Sequence, residues 1–389
     1  MILSSVNNTP LRPFEPVVLD CLEEISATIL KSPVGRQFPD LTAFAFYIRK
    51  ANLQKIAASF KSDEVRLGRG LCFHVAPANI PINFAFTWMF SLLAGNANVV
   101  RLPSKEFPQV DALLKIINAA LDERPELRER NTFVKYPRTD SETTAAYCQM
   151  ADCRMIWGGD RTIASIKALP TKPRCVDIAF ADRYSVAMID GAALLAADEA
   201  RLARLAQDFY NDTYLMDQNA CSSPQVILWE VGDLKCEEVE KAKERFWDAV
   251  YGLAEKKYIL QDAVAVDKYT LFCEEAVGNR NIKTITRRGN LLYRVELKSL
   301  PSDIIEHRGK AGFFFEYSLA CRQEFFSVVT EKFQTITQFG IDSETLAMQI
   351  ADAHLRGIDR IVPIGRAMDI GVVWDGHELV SELTRVVAC

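Results

Sequence analysis

The stretch Met-Asp-Gln-Asn-Ala-Cys-Ser-Ser-Pro-Gln, residues 216–225, sets Cys221 among short polar neighbours, three positions before a proline. A thiol in such a turn is either a small core residue, as most cysteines are, or a nucleophile. A nucleophile needs the thiolate, and a free thiol with a pKa of about 8.5 is only a few per cent ionised at neutral pH. A reactive Cys221 is therefore expected to have a lowered pKa. "HVAPANIP" (74–81) ends a β-rich run at Ala76-Pro77, carries Asn79 on the turn and offers Pro81 as a first helical residue. Asn79 is either a turn former or a side-chain amide aimed out of a sheet. "AGNANVVRLPSK" (94–105) closes a helix, runs through a strand and leaves Arg101 and Lys105 at its carboxyl end. That end is where open α/β sheets hold phosphorylated ligands, although solvated surface charges explain two cations equally well. "WGGDRTI" (157–163) puts Gly158 and Gly159 between a strand and a polar helix start, where backbone can approach an anion at a helix N-terminus.

These residues need elements to carry them. From about 65 to 190, short β-rich runs alternate with helical ones: "LCFHVAP" and 81–94, "ANVVRLP" and a helix from 107, "TFVKYP" and "DSETTAAYCQM", "CRMIWGG" and "DRTIASIKAL", then "RCVDIAF" and "SVAMID". Such alternation predicts a doubly wound α/β unit with a parallel sheet. In the second half a helical pattern over 193–217 precedes Cys221, "QVILWEV" reads as a buried strand and 233–255 as an amphipathic helix. "KTITRRGNLLYRVEL" is a hairpin around Gly289-Asn290, and "GFFFEYSLA", "FQTITQFGI" and "DRIVPIG" are further strands, with a helix at 343–356. The aromatic run 312–319 reads as strand core. The expected division is a first domain over 1–210, a second over 211–365 carrying Cys221, and a terminal segment 366–389 that returns to the first domain or makes an oligomer contact. Cys221 then lies where the chain crosses between domains, and ligands favour interdomain clefts.

At 389 residues the chain exceeds the size of a single core, which favours two domains. The formal net charge of −5 argues against a general nucleic-acid or membrane-surface role. Ten cysteines at irregular spacing, with no C-x-x-C pair, and four histidines outside any paired spacing argue against a metal site or disulfide framework. His74 reads as a satisfied core imidazole. The longest apolar stretch, 82–95, is too short to span a bilayer, and the N-terminus shows no basic segment leading into an apolar run. A cytoplasmic protein without membrane span is expected.

The order of these stretches is more specific than any one of them. A-P-x-N, then A-G-N-x-x-V-V, then glycine between strand and helix, then a cysteine on a Gln/Asn-rich turn, resembles the aldehyde dehydrogenase superfamily. Within it, "MDQNACSSPQ", "EKFQTITQFGI" (331–341) and "GIDRIVPIGRAMDI" with "WDG" (357–376) resemble the LuxC-type acyl-CoA reductases, the fatty-acyl reductases of bacterial luminescence systems. The resemblance runs from about residue 65 to the C-terminus. It implies two doubly wound α/β domains with the active site in the cleft between them. It matches Cys221 to the catalytic thiol and Asn79 to the amide of the oxyanion hole. Gly158, Gly159, Asp160, Arg161 and Thr162 match the turn that approaches the pyrophosphate of the cofactor.

The superfamily's K-P-S-E segment is replaced by Arg101-Leu102-Pro103-Ser104-Lys105. Arg101 falls near the lysine that contacts the adenosine ribose. Lys105 falls near the acidic residue that favours NAD, so a cation stands ready for a 2′-phosphate and NADPH is the implied cofactor. The glutamate that activates water in hydrolytic members falls at Ala179, and the nicotinamide-ribose glutamate is not clearly matched, Glu331 lying near it in sequence. The resemblance thus implies NADPH-dependent reduction of an acyl thioester, acyl-CoA or acyl-carrier protein, to an aldehyde through a Cys221 acyl-enzyme. It also implies a homo-oligomer and an acyl-synthetase or acyl-transferase partner. Two other readings remain: an NAD(P)-dependent aldehyde dehydrogenase working oxidatively, and a non-redox acyl-carrying protein or acyltransferase. Nucleotide binding separates the last from the others.

Overall fold

A computed structural model describes residues 6–60, 64–77 and 80–388. The chain forms two compact units, residues 1–181 with 372–389, and residues 182–371. The first begins with four helices, α1 (Pro16–Lys31), α2 (Pro33–Gln37), α3 (Pro39–Tyr47) and α4 (Lys50–Ser59). Proline opens the first three, where its missing N–H costs nothing. After β1 (Val65–Gly68) come β2 (Leu71–Val75), α5 (Asn83–Leu93), β3 (Ala97–Arg101), α6 (Pro108–Asp122), α7 (Pro125–Arg128), β4 (Asn131–Val134), α8 (Ser141–Met150), β5 (Cys153–Trp157), α9 (Asp160–Lys167) and β6 (Val176–Phe180).

β2 to β6 make a parallel sheet of order β4-β3-β2-β5-β6. The chain therefore winds outward from β2 to β4, then restarts on the other side of β2 with β5. Every residue of β2 is buried, as expected of a central parallel strand, and α5 is buried along its whole length. Asp140 caps α8 by accepting the Thr143 amide at 2.9 Å. His74 is buried on β2 with Nε2 3.0 Å from Asn98 Oδ1, and among the described residues Nδ1 has no nitrogen or oxygen partner.

The second unit runs β7 (Tyr184–Asp190), α10 (Gly191–Ala196), α11 (Glu199–Asp212), β8 (Pro224–Glu230), α12 (Cys236–Lys257), α13 (Asp262–Gly278), β9 (Ile282–Arg288), β10 (Leu292–Leu297), β11 (Phe313–Leu319), α14 (Arg322–Phe326), β12 (Phe333–Phe339), α15 (Ser343–Asp352) and β13 (Arg360–Pro363). Its seven-stranded sheet has the order β13-β12-β7-β8-β11-β10-β9, parallel except for the β9–β10 hairpin. Alternate residues feed two cores. Tyr184, Val186, Met188, Val226, Leu228, Phe313 and Phe315 face one. Ala187, Ile189, Ile227, Trp229 and Phe314 face the other, the period-two pattern of strands covered on both faces. The segment then returns to the first unit as β14 (Val373–Trp374), β15 (His377–Glu378), α16 (Leu379–Glu382) and β16 (Thr384–Val387). There β16 pairs antiparallel with β1, and the Leu383 carbonyl accepts from Asn96.

The division at 181/182 lies well before the expected 210/211. β7 follows the strands of the first unit in sequence, whereas its ladders run to β8 and β12. The returning segment starts at 372 rather than 366, because residues 365–367 are hydrogen-bonded to Asp212. The helix expected over 193–217 is two helices broken at Ala197, with Asp198 capping the second. α13 was not anticipated; apolar residues on all its sides blur the periodicity.

Candidate active site

After α11 the chain makes one 3-10 turn, Tyr214–Met216, and then places Asp217 (φ 49°) and Gln218 (φ 61°) consecutively in the left-handed region. Non-glycine residues hold such angles only when their surroundings over-determine them. Here the Gln218 side chain does so. Its Nε2 donates to the carbonyls of Pro224 (3.1 Å) and Phe313 (3.0 Å), and its Oε1 accepts the Gly312 amide (3.2 Å). Gln225 completes the seat, donating to the Gln218 carbonyl at 3.1 Å and accepting the Gly309 amide at 2.9 Å. Both amides are buried with every named bond made, which makes the turn a rigid platform.

The Ser223 amide donates to the Ala220 carbonyl at 2.9 Å, so Cys221 and Ser222 are the central residues of a β-turn. Cys221 is half-buried and outside any disulfide. Its carbonyl accepts Ser185 Oγ at 2.6 Å, and Ser185 Oγ in turn accepts the Thr335 amide. Ser185, Pro224, Phe313 and Thr335 all lie at or near the amino ends of parallel strands. The candidate thiol is therefore held at the amino edge of this sheet, whereas ligand sites of open α/β sheets collect at the carboxyl edge.

The platform rests on the loop ahead of β11. Ala311 (φ 53°) donates its amide to the Asp217 carbonyl at 3.0 Å, and its own carbonyl accepts Lys268 Nζ at 2.6 Å. Lys268 is fully buried with its amine 4.5 Å from the Tyr293 ring centre. Desolvation pushes that amine down from 10.5 to about 7. Gly312 (φ 88°) is required: a Cβ there would lie 2.2 Å from the Leu291 carbonyl oxygen and 2.7 Å from the Tyr214 ring.

In the first unit the winding reverses between β2 and β5, and the carboxyl ends of these strands flank the crevice that such a reversal opens. The β2 end leads through Ala76-Pro77 to Asn79, which lies outside the described residues. The β5 end leads to Gly158, Gly159 and α9. Gly159 caps α9 without a side chain and faces open space, while a Cβ on Gly158 would lie 3.2 Å from Thr162. Asp160 and Arg161 are exposed in the first turn of α9, and Arg138 donates to Thr162 Oγ1 at 2.9 Å. Arg101 ends β3 in register with Val75, which pairs on its other side with Ile156. At about 4.8 Å per strand, Arg101 and the Trp157-Gly158 end are roughly 10 Å apart on one edge. The Arg101 guanidinium is 4.6 Å from the Tyr136 ring centre. Pro103 is buried, Ser104 and Lys105 are exposed, and Lys105 Nζ lies 5.2 Å from the Phe107 ring. The open glycine, helix N-terminus and three arginines fit the phosphates of a dinucleotide. Ala179 is a small residue on β6, opposite Ile156. Among the described residues, no group of three or more His, Cys, Asp or Glu side chains could hold a metal ion. No helix there is long and apolar enough to cross a membrane.

Sequence reasoning did not single out Gln218, Gln225, Ser185, Lys268 or Arg138. Gln218 stood inside the quoted cysteine stretch, but its partners Gly312 and Phe313 are more than 90 positions away.

The fold is that of the aldehyde dehydrogenases. The chain is similar to an NAD-dependent benzaldehyde dehydrogenase from Corynebacterium glutamicum, with TM-score 0.64 and 14% identity over 96% of this chain and 84% of that one. It is also similar to aldehyde dehydrogenase 21 from Physcomitrella patens, solved with the product succinate, with TM-score 0.67 and 12% identity over 95% and 85%. A third likeness is to Bradyrhizobium japonicum proline utilization A (TM-score 0.66, 13% identity, 95% of this chain), of whose length the chain spans 42%. A comparison with curated proteins gives no match. The acyl-CoA reductase (LuxC) family matches residues 49–275, more than half of the sequence, and the chain belongs to that family.

Proposed function

We propose that this protein reduces an acyl thioester, of coenzyme A or of an acyl-carrier protein, to the aldehyde, with NADPH as reductant and a fatty-acyl chain as substrate. The observation that carries the reading is the platform under Cys221, on a segment inside the acyl-CoA reductase match. Two left-handed residues held by a buried glutamine are an expensive way to place a structural thiol, and a sound way to present a nucleophile.

The Cys221 thiolate attacks the thioester carbonyl, the carrier leaves as its thiol, and the acyl group stays on sulfur. Thiol exchange keeps the thioester bond energy, so this step is nearly balanced. The oxyanion of each tetrahedral species is held by the Asn79 amide and the Cys221 main-chain N–H; losing one such donor costs roughly 100- to 1000-fold. Bound NADPH supplies the hydride that reduces the acyl carbon. The resulting thiohemiacetal collapses to aldehyde and frees Cys221. Arg101, Pro103, Ser104 and Lys105 hold the adenosine end, with Lys105 answering a 2′-phosphate, and Gly158 to Thr162 hold the pyrophosphate. Ala179 offers no base to water, so the acyl-enzyme survives until it is reduced.

The test is an intact-mass spectrum after mixing with a panel of acyl-CoAs, repeated after NADPH is added. An acyl adduct on Cys221 that vanishes with NADPH as aldehyde forms establishes the reaction, and the best-loading chain names the substrate class. Decay to free acid alone, or an adduct that survives in Cys221→Ser, refutes it.

A further inference from the structure

Asp212 is the last residue of α11 and fully buried. Its carboxylate accepts the amides of Gly365 (2.6 Å) and Ala367 (3.0 Å), and its carbonyl accepts Ser223 Oγ (2.7 Å). One residue thus grips both the cysteine turn and the loop that follows β13. That loop also touches the turn directly, since Ser222 Oγ lies 3.8 Å from Met368 Sδ. Arg360 holds the loop from its other side, donating to the carbonyls of Arg366, Ala367 and Asp369. The guanidinium on the carbonyls and Asp212 on the amides hold loop 365–369 against Ser222.

We propose that Asp212 is the positioning residue of the nucleophile turn: it docks loop 365–367 against Ser222 while its main chain anchors Ser223, fixing Cys221 between them. The proposal rests on the reading of Cys221 as the acylated thiol. Among the described residues, no cation pairs with the carboxylate. Asp208 on its own helix and Asp369 on the loop add negative charge, Arg366 is paired with Asp369, and Arg204 acts on Asp208. Burial, with those two aspartates adding to it, raises the Asp212 carboxyl to about 7 against the pull of the two amides. The sign comes from the amides alone: both bonds favour the ionised carboxylate, so with Asp212 still buried when the loop leaves, docking weakens as pH falls through that value and the carboxyl gains a proton. Asn at this position imitates the protonated form.

The experiment measures two quantities from pH 6 to 8.5 in wild type, Asp212→Asn and Asp212→Glu. One is hydrogen exchange of peptides spanning 361–370, corrected for intrinsic rate. The other is the rate of acyl loading on Cys221 from a saturating acyl-CoA. The thiol's own titration is common to all three proteins and cancels in ratios. At pH 8 the Asn variant should exchange Gly365 and Ala367 at least about tenfold faster and load about 10- to 100-fold more slowly. At pH 6 it should match wild type, and the Glu variant should recover part of both losses. A purely structural role predicts a deficit that does not change with pH. An Asn variant that keeps these amides protected, or a loading ratio flat across pH, overturns the proposal. If wild type itself fails to load at Cys221, the nucleophile reading falls, and hydrogen exchange alone still decides whether Asp212 holds the loop.

Discussion

Replacing Lys268 by Met should make the protein more stable at pH 7.5 and should flatten its stability against pH. The amine is fully buried, its contacts are one carbonyl and the Tyr293 ring, and its pKa falls from 10.5 to about 7. The unfolded chain binds one more proton than the native state between those two values, so wild-type stability rises with pH across that window. The slope is about 1.4 kcal/mol per pH unit. Integrated, the penalty is about 4 kcal/mol at pH 7.5 and just over 1 kcal/mol at pH 9.5. Met keeps the volume of the stem but strands the Ala311 carbonyl, at a cost of about 1–3 kcal/mol. Lys268→Met should therefore exceed wild type by about 1–3 kcal/mol at pH 7.5 and lose most or all of that lead at pH 9.5, a double difference of about 2.5 kcal/mol. Urea unfolding at the two pH values, read through Trp229 and Trp247 of the same unit, measures it. Equal pH slopes in the two proteins would show that the native amine keeps its proton, and the argument from burial would fail.

Three further outcomes follow from local contacts in the two units. Gly312→Ala places a methyl group against the Leu291 carbonyl at a left-handed position and should unseat Gln218. Acyl loading at Cys221 should drop at least about tenfold, while NADPH affinity, measured by fluorescence titration, should stay unchanged. Lys105→Glu should weaken NADPH binding by about 10- to 100-fold, the worth of a charge-assisted hydrogen bond, and leave NADH nearly untouched; equal losses for both cofactors would take Lys105 away from the 2′-phosphate. Glu316→Gln removes the charge facing Arg294 Nε at 2.7 Å, in a buried site where Glu316 also accepts from Trp229 and Trp247. It should cost on the order of 3 kcal/mol, seen as a lower urea midpoint with the m-value unchanged.

Local pattern carried much of this protein. The alternation of β-rich and helical runs over 65–190 specified the parallel sheet because each strand needs both faces covered. The Asp140 cap and the Gly289 hairpin are decided by backbone chemistry within a few residues. The polar turn at Cys221 was legible for the same reason, since short polar residues and a proline crowd just before a buried strand. What the linear order could not decide was which sheet β7 joins, because a parallel strand's partners are set by crossover packing far along the chain. Nor could it show that Gln218 is pinned by Gly312, that Lys268 lies under Ala311, or that Asp212 holds residues 365–367, separations of 94, 43 and about 150 positions. Buried polar groups must find partners wherever the fold brings them. The pKa values of Lys268 and Asp212 and the seat of the Cys221 turn therefore belong to the tertiary structure, while the polar stretch that makes Cys221 a candidate nucleophile belongs to the sequence.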